Sequence, residues 1–380
     1  MTKRLFFVAG EDSGDLLAAE VIREMRSLDD QVEVYGYGGP RMAQAGASIQ
    51  FQLTDLASVG ADWIGQVFKL RRLGIDAIKY CKSESIGTIV LVDYPGFNLR
   101  LATAAKRAGL QVIYYVCPQV WAWRTGRVKR MRRDIDLVLA LFPFEEDFLR
   151  THGVPVRFVG HPLIDRLRDP RPVQEIRQDH GLPSSLDIPL IGLLPGSRQK
   201  EVERLGPVLA RTASLLLEAR PNLHFVVPKA ESVSESSIRE HFPAQFPWTL
   251  VENPTPDLRS AFRASITKSG TSTLENAVLG VPQVIVYRGS PLVAWVARRV
   301  MRIPWLGLVN VLANREVCPE FLQERCIPER IREGMLTLID ETAERERMLS
   351  DMAAISESLG EGQAALRAAK SIMERITHDE

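Results

Sequence analysis

Short, continuous apolar runs recur along the first half of the chain, at residues 5–9, 32–37, 88–92, 111–116, 137–141 and 156–159, with amphipathic stretches between them. Most lack the polar–apolar alternation of a strand with one wet face. They therefore predict parallel strands covered on both sides by helices. Asp169-Pro170-Arg171-Pro172 breaks the rhythm and reads as a linker. Beyond it the scheme repeats at residues 190–194, 224–227, 265–267 and 283–287. The pattern predicts two facing, doubly wound α/β domains of Rossmann-like type, residues 1–168 and 173–359. The cleft between them is the default ligand site. Residues 341–359 and 363–376 read as helices separated by Gly360-Glu361-Gly362.

Composition narrows this picture. A length of 380 residues exceeds one ordinary core and agrees with two domains. A formal net charge of +1 argues against a nucleic-acid binder. Cys81, Cys117, Cys318 and Cys326 form no CxxC pair and read as reduced thiols of a cytosolic protein. No run approaches the ~18 apolar residues of a membrane span, and residues 5–9 are too short for a signal-peptide core. Attachment to a membrane surface stays open.

Two stretches of the second half end a strand in a glycine turn and open a helix. Residues 190–198, LIGLLPGSR, offer the backbone of Gly196 and Ser197 and the guanidinium of Arg198. Free N–H groups and the helix dipole make an anion pocket of such a turn. A tight βα turn with a solvated arginine is the competing reading. Residues 268–275, KSGTSTLE, make a second turn. Ser269, Gly270, Thr271, Ser272 and Thr273 offer hydroxyls and N–H groups to a diphosphate, and Glu275 offers a carboxylate to ribose hydroxyls. The competing reading of Glu275 is a capping box with Ser272.

The first half carries its own strand-end loops. AGEDSGD at 9–15 places Glu11 and Ser13 before a helix. It fits neither GxGxxG nor GxSxG, and it also reads as an acidic helix cap. Asp93 ends the run at 88–92, where a general base of this fold would stand, or where an Asx turn precedes Pro95. In the stretch 63–78, Trp63, Val67 and Phe68 lie among cations. Core packing and an acyl-chain or membrane contact are the two readings. Trp121, Trp123 and Arg124 open a basic run to Arg133 that is either a solvated face or an attractor of anionic head groups. Asp134-Ile135-Asp136 imitates a DxD metal motif, but at the wrong end of a parallel strand. His161 stands at the right end of a strand but alone.

The ordered set AGEDSGD, GGPRM (38–42), PQVWAWR (118–124), FPFE (142–145), FVGHP (158–162), LPGSR..EV (194–202), SGTSTLE (269–275) and NVLANRE (310–316) resembles the bacterial lipid-A-disaccharide synthase family nearly end to end. These are inverting glycosyltransferases of the GT-B type. The resemblance implies transfer of 2,3-diacylglucosamine from its UDP derivative to O6 of 2,3-diacylglucosamine 1-phosphate, with release of UDP. By position, Asp93 is the implied base and Arg198 the implied stabiliser of the departing diphosphate. Glu11 and Ser13 fall near the acceptor. Glu275 and residues 269–273 match the UDP element, and Asn310 and Arg315 match further active-site positions. Lipid contacts are implied for the first domain, at 63–78 (Trp63, Val67, Phe68) and around Trp121 and Arg124. Many members carry a second aspartate where this chain has Gly96, which leaves Asp93 alone. No metal and no cofactor is implied. A peripheral position on the cytoplasmic face of the inner membrane is implied, and the last helices, 360–380, would return to the first domain. Some members exchange those helices within a dimer, so a homodimer is one option. A UDP-sugar 2-epimerase and a non-catalytic UDP- or lipid-binding protein are the alternatives.

Overall fold

The computed structural model describes residues 3–54, 63–121, 126–243, 245–290 and 304–377, with the side chains of 63–67 and 377 outside that description. The chain divides into two units. One joins Met1–Asp165 to Leu359–Glu380, and the other is Arg166–Ser358.

The first unit is built on seven strands: β1 (Arg4–Ala9), β2 (Glu33–Gly38), β3 (Ser48–Gln52), β4 (Thr88–Val92), β5 (Gln111–Tyr115), β6 (Leu137–Ala140) and β7 (Val156–Phe158). They pair in parallel in the order β3-β2-β1-β4-β5-β6-β7. Leu5 through Ala9 are fully buried on both faces. Each large apolar side chain among them contributes roughly 1.5–3 kcal/mol of transfer free energy. The helices are α1 (Asp12–Leu28), α2 (Pro40–Gln44), α3 (Trp63–Ser83), α4 (Pro95–Arg107), α5 (Arg127–Asp134) and α6 (Pro143–Thr151). Chain order reverses between β1 and β4. Their register, Val8 beside Leu91 and Ala9 beside Val92, brings their C-terminal ends level. A parallel sheet binds ligands at such a reversal.

The second unit repeats the plan with β8 (Leu190–Leu194), β9 (His224–Pro228), β10 (Trp248–Val251), β11 (Ala264–Lys268), β12 (Gln283–Tyr287) and β13 (Glu320–Leu322), ordered β10-β9-β8-β11-β12-β13 and again parallel. Its reversal lies between β8 and β11. The helices used below are α7 (Gln199–Ala219), α8 (Thr271–Val278), α9 (Leu308–Ala313), α10 (Pro328–Ile339) and α11 (Ala343–Ser358). The last helix, α12 (Ala364–Thr377), belongs to the first unit and packs on α1. In the expected linker, Arg171 is fastened to the second unit. Its guanidinium grips Asp257 at 2.8 and 3.1 Å and also pairs with Asp179.

The continuous apolar runs all became strands. β3, β10 and β13 have no counterpart in the sequence reading, and each lies at a sheet edge. β3 shows the reason: its residues alternate between exposed and half-buried, because an edge strand has a wet side. No helix among the described residues is long and apolar enough to cross a membrane.

Candidate functional site

In the first unit the reversal between β1 and β4 gathers two loops. Gly10 follows β1, and a Cβ there would lie 2.3 Å from the Tyr94 ring, so only glycine lets the two loops meet. Glu11 is the N-cap of α1, and Ser13 lies in its exposed first turn. Asp15 of the same motif is buried. It accepts the N–H groups of Gly39 (2.7 Å), Arg41 (3.0 Å) and Met42 (3.2 Å), so it satisfies the start of α2. The AGEDSGD and GGPRM motifs are therefore one structure.

Asp93 leaves β4 in the left-handed region at φ 47°, followed by Tyr94 at 47°, and Val116 after β5 has φ 67°. Three non-glycine residues in that region at adjacent strand ends mark stored backbone strain. The neighbours hold Asp93 there. Its N–H donates to the Tyr115 carbonyl at 3.0 Å, and its own carbonyl accepts from Tyr114 Oη at 2.6 Å and Asn98 Nδ2 at 2.8 Å. Burial, with the nearby charge of Glu11, pushes the Asp93 carboxyl up to about 6, partly offset by the Tyr94 backbone N–H. Such a carboxylate is ionised near pH 7 and is a stronger base than an ordinary aspartate. Gly96 sits in the first turn of α4, and a Cβ there would meet nothing within 4 Å.

Trp121 donates from Nε1 to Glu145 Oε1 at 3.1 Å and meets Phe144 edge to face at 4.9 Å. Burial raises Glu145 to about 7. The indole thus fastens the PQVWAWR stretch to FPFE. Between α3 and α4 lies a groove of about 480 Å³ lined by the more buried Leu70, Phe97 and Leu101, by Gly96, and by the exposed Ile75, Arg71, Arg100 and Arg107. Phe68 (67% exposed) and Ile75 (50%) present apolar surface on α3. The side chains of Trp63 and Val67, and the whole of Arg124, lie outside the described residues. The basic run is partly neutralised internally. Arg133 pairs with Asp134 at 2.7 Å, and Arg130 donates to Thr103 at 2.8 Å beside the same carboxylate. Asp136 accepts the Val112 N–H, so both aspartates of the DxD imitation serve the protein itself.

In the second unit, the ends of β8 and β11 line a pocket of about 420 Å³ that includes Gly196, Ser197, Arg198, Lys268, Ser269, Gly270, Thr271, Ser272 and Glu275. Gly196 has φ +120°, and a Cβ on it would lie 2.3 Å from Glu201 Oε2. Arg198 is the exposed N-cap of α7. In the second turn Gly270 is the N-cap of α8, so the Ser272–Glu275 capping box does not form. Glu275 pairs instead with Arg259 at 2.6 Å, and Arg259 also donates to Ser272. Ser269 Oγ donates to the Leu306 carbonyl and Thr273 Oγ1 to that of Gly270, both at 2.8 Å, so these hydroxyls shape the loop. Thr271 is exposed at its tip.

Asn310 and Arg315 are not among the residues that line this pocket. The buried Asn310 amide donates to Cys318 O and Glu320 and accepts from the N–H groups of Val317 and Cys318, which fixes the turn after α9. Arg315 pairs with Asp351 of α11 at 2.6 Å. Sequence reasoning missed the pairings of Lys268 with Glu201 at 2.8 Å and of Arg259 with Glu275. Glu201 three residues after Arg198 was a visible signal, whereas the pairing of Arg259 with Glu275 required the fold.

A family model described as lipid-A-disaccharide synthetase matches residues 5–375. The lipid-A-disaccharide synthase of Geobacter metallireducens is 37% identical, across 98% of this chain and 97% of that relative. Among solved structures, the chain is similar to the UDP-GlcNAc 2-epimerase of Neisseria meningitidis bound to UDP-GlcNAc (TM-score 0.65, 13% identity, 99% of this chain and 100% of that one). It is also similar to the glycosyltransferase of kitacinnamycin (TM-score 0.62, 15% identity, 98% of each chain). At such identities the two structures speak for the fold alone.

Proposed function

We propose that this chain, which belongs to the lipid-A-disaccharide synthetase family and is a glycosyltransferase, moves 2,3-diacylglucosamine from its UDP derivative to O6 of 2,3-diacylglucosamine 1-phosphate, giving the β-1,6-linked disaccharide 1-phosphate and UDP by one inverting displacement. The observation that carries this reading is Asp93, a carboxylate raised to about 6 on a strained strand end braced by Tyr114 and Asn98. It accepts the proton of O6 as that oxygen attacks the anomeric carbon. The bond from that carbon to the diphosphate oxygen breaks, and the electron pair leaves with UDP.

The second unit holds the leaving group. Backbone N–H groups at Gly196–Ser197 and Gly270–Thr271, the starts of α7 and α8, and Arg198 supply positive potential where charge develops. Ser269, Ser272 and Thr273 set the loop, and Glu275, held by Arg259, accepts from the ribose hydroxyls. Asn310 and Arg315 act indirectly, by bracing the turn after α9.

The first unit takes the acceptor. Glu11 lies near enough for its charge to raise the basicity of Asp93, and Ser13 follows in the first turn of α1. The α3–α4 groove pairs an apolar lining with three arginines and fits an acyl chain that ends in phosphate. With exposed Phe68 it gives a peripheral hold on an anionic membrane face, to which Trp63, Val67 and Arg124 would add. Trp121 positions the neighbouring loop.

The test supplies both acylated substrates and follows UDP and disaccharide phosphate together. Asp93→Asn should lose at least about 10²-fold in turnover with the fold intact. UDP release without acceptor would point to a different reaction, and unchanged turnover would remove Asp93 from the mechanism.

A further inference from the structure

In the second unit one carboxylate holds donors from both glycine turns. Glu201 Oε2 accepts the Ser197 N–H at 3.1 Å, and its Oε1 holds Lys268 Nζ at 2.8 Å. Ser197 follows β8 and Lys268 ends β11, and these strands are neighbours. All three residues line the same pocket. Lys268 Nζ also lies over the Tyr287 ring at 5.9 Å, and a Cβ on Gly270 would stand 4.0 Å from it. The ammonium is therefore at the mouth of the second turn.

Helix capping explains half of this arrangement. Glu201 is the third residue of α7 and reaches back to the helix start, as capping glutamates do. Capping does not explain Lys268, a cation only 21% exposed and turned into a pocket already furnished for an anion. The Glu201 carboxylate occupies the backbone donor and the ammonium that a phosphate would use.

We infer that Lys268 is a further ligand of the donor's diphosphate and that Glu201 holds it in place until the diphosphate takes it over. This rests on the reading of the pocket as a UDP-sugar site. The exchange moves one N–H and one ammonium from a carboxylate to a more highly charged acceptor. It leaves Glu201 as a negative charge beside a bound anion, so Glu201 sets an upper limit on affinity. Lys268 adds a point charge where Arg198 adds a planar fork.

Titration of the full-length chain with UDP in a calorimeter separates the outcomes. Absence of UDP binding to the wild type overturns the pocket reading and this inference together. With wild-type binding in hand, Lys268→Met should weaken UDP about tenfold or more, while Lys268→Arg stays within about threefold. Glu201→Gln should tighten UDP severalfold, and should tighten it less in the Lys268→Met background, where only the Ser197 N–H and the charge beside the anion remain to be released, as a coupled pair requires. A purely structural bridge gives another pattern. Both single variants then lower the melting temperature, and UDP affinity either stays at the wild-type value or falls in both. Either result overturns the inference.

Discussion

Replacing Asp93 by asparagine should remove turnover and make the protein more stable, a combination that a residue held for structure alone would not give. Raising a carboxyl from 3.8 to about 6 sets about 3 kcal/mol against its ionised form in the folded state. The sign follows from linkage. The folded value lies above the unfolded one, so the contribution to stability is fully present below pH ~4 and is lost as pH rises through about 6. At pH 7.5 the wild type therefore carries an unfavourable buried charge that Asp93→Asn lacks. The variant should unfold later by up to about 3 kcal/mol, or several degrees at about 2–4 °C per kcal/mol. The gap should close below pH ~4, where both side chains are neutral. Thermal melts of wild type and variant from pH 4 to 8 measure the difference. The profile of kcat/KM against pH should fall on its acid side near pH 6, and Glu11→Gln should move that limb downward, because Glu11 is the second cause of the shift. A variant less stable than wild type at pH 7.5, with a gap that ignores pH, refutes the reasoning. So does an acid limb that Glu11→Gln leaves in place.

Asn98→Leu removes the amide that joins the carbonyls of Val8, Val92 and Asp93; denaturant melts should show a loss of about 1–3 kcal/mol, and steady-state kinetics a fall in kcat larger than the change in KM. Gly196→Ala meets both a left-handed backbone and the Glu201 carboxylate at 2.3 Å, so it should cost about 1–3 kcal/mol and weaken UDP binding measured by calorimetry. Arg100→Glu combined with Arg107→Glu reverses two charges lining the α3–α4 groove; flotation with vesicles containing phosphatidylglycerol at low salt should show binding reduced at least tenfold, given about 1 kcal/mol per cation near an anionic surface.

Interior strands were legible because burial on both faces writes an unbroken apolar run, as in Thr88–Val92 and Leu190–Leu194. The edge strand β3 was not, because a wet edge lets polar residues in and erases the run, and β10 and β13 are only four and three residues long. At the site, glycine turns next to strands could be read directly, and so could Asp93 at a strand end. Partnerships could not. Nothing near Glu275 in sequence announces Arg259, and nothing near Glu201 announces Lys268. Asn310 shows the converse. A polar residue beside an apolar segment looks like a ligand-binding group until the fold shows four internal hydrogen bonds on its amide.

The return of the chain to its first unit has a consequence during synthesis. The second unit is one uninterrupted stretch, Arg166–Ser358, and can close as soon as it clears the ribosome. The first unit cannot. Its sheet is made early, but α1 waits for α12, whose Ala368, Ala369 and Ile372 end fully buried. The half that bears Asp93 is thus the last to be finished. A ribosome that stalls before residue 364 would leave the second unit closed and the first unfinished, with an uncovered helix face that is a natural target for chaperones and proteases.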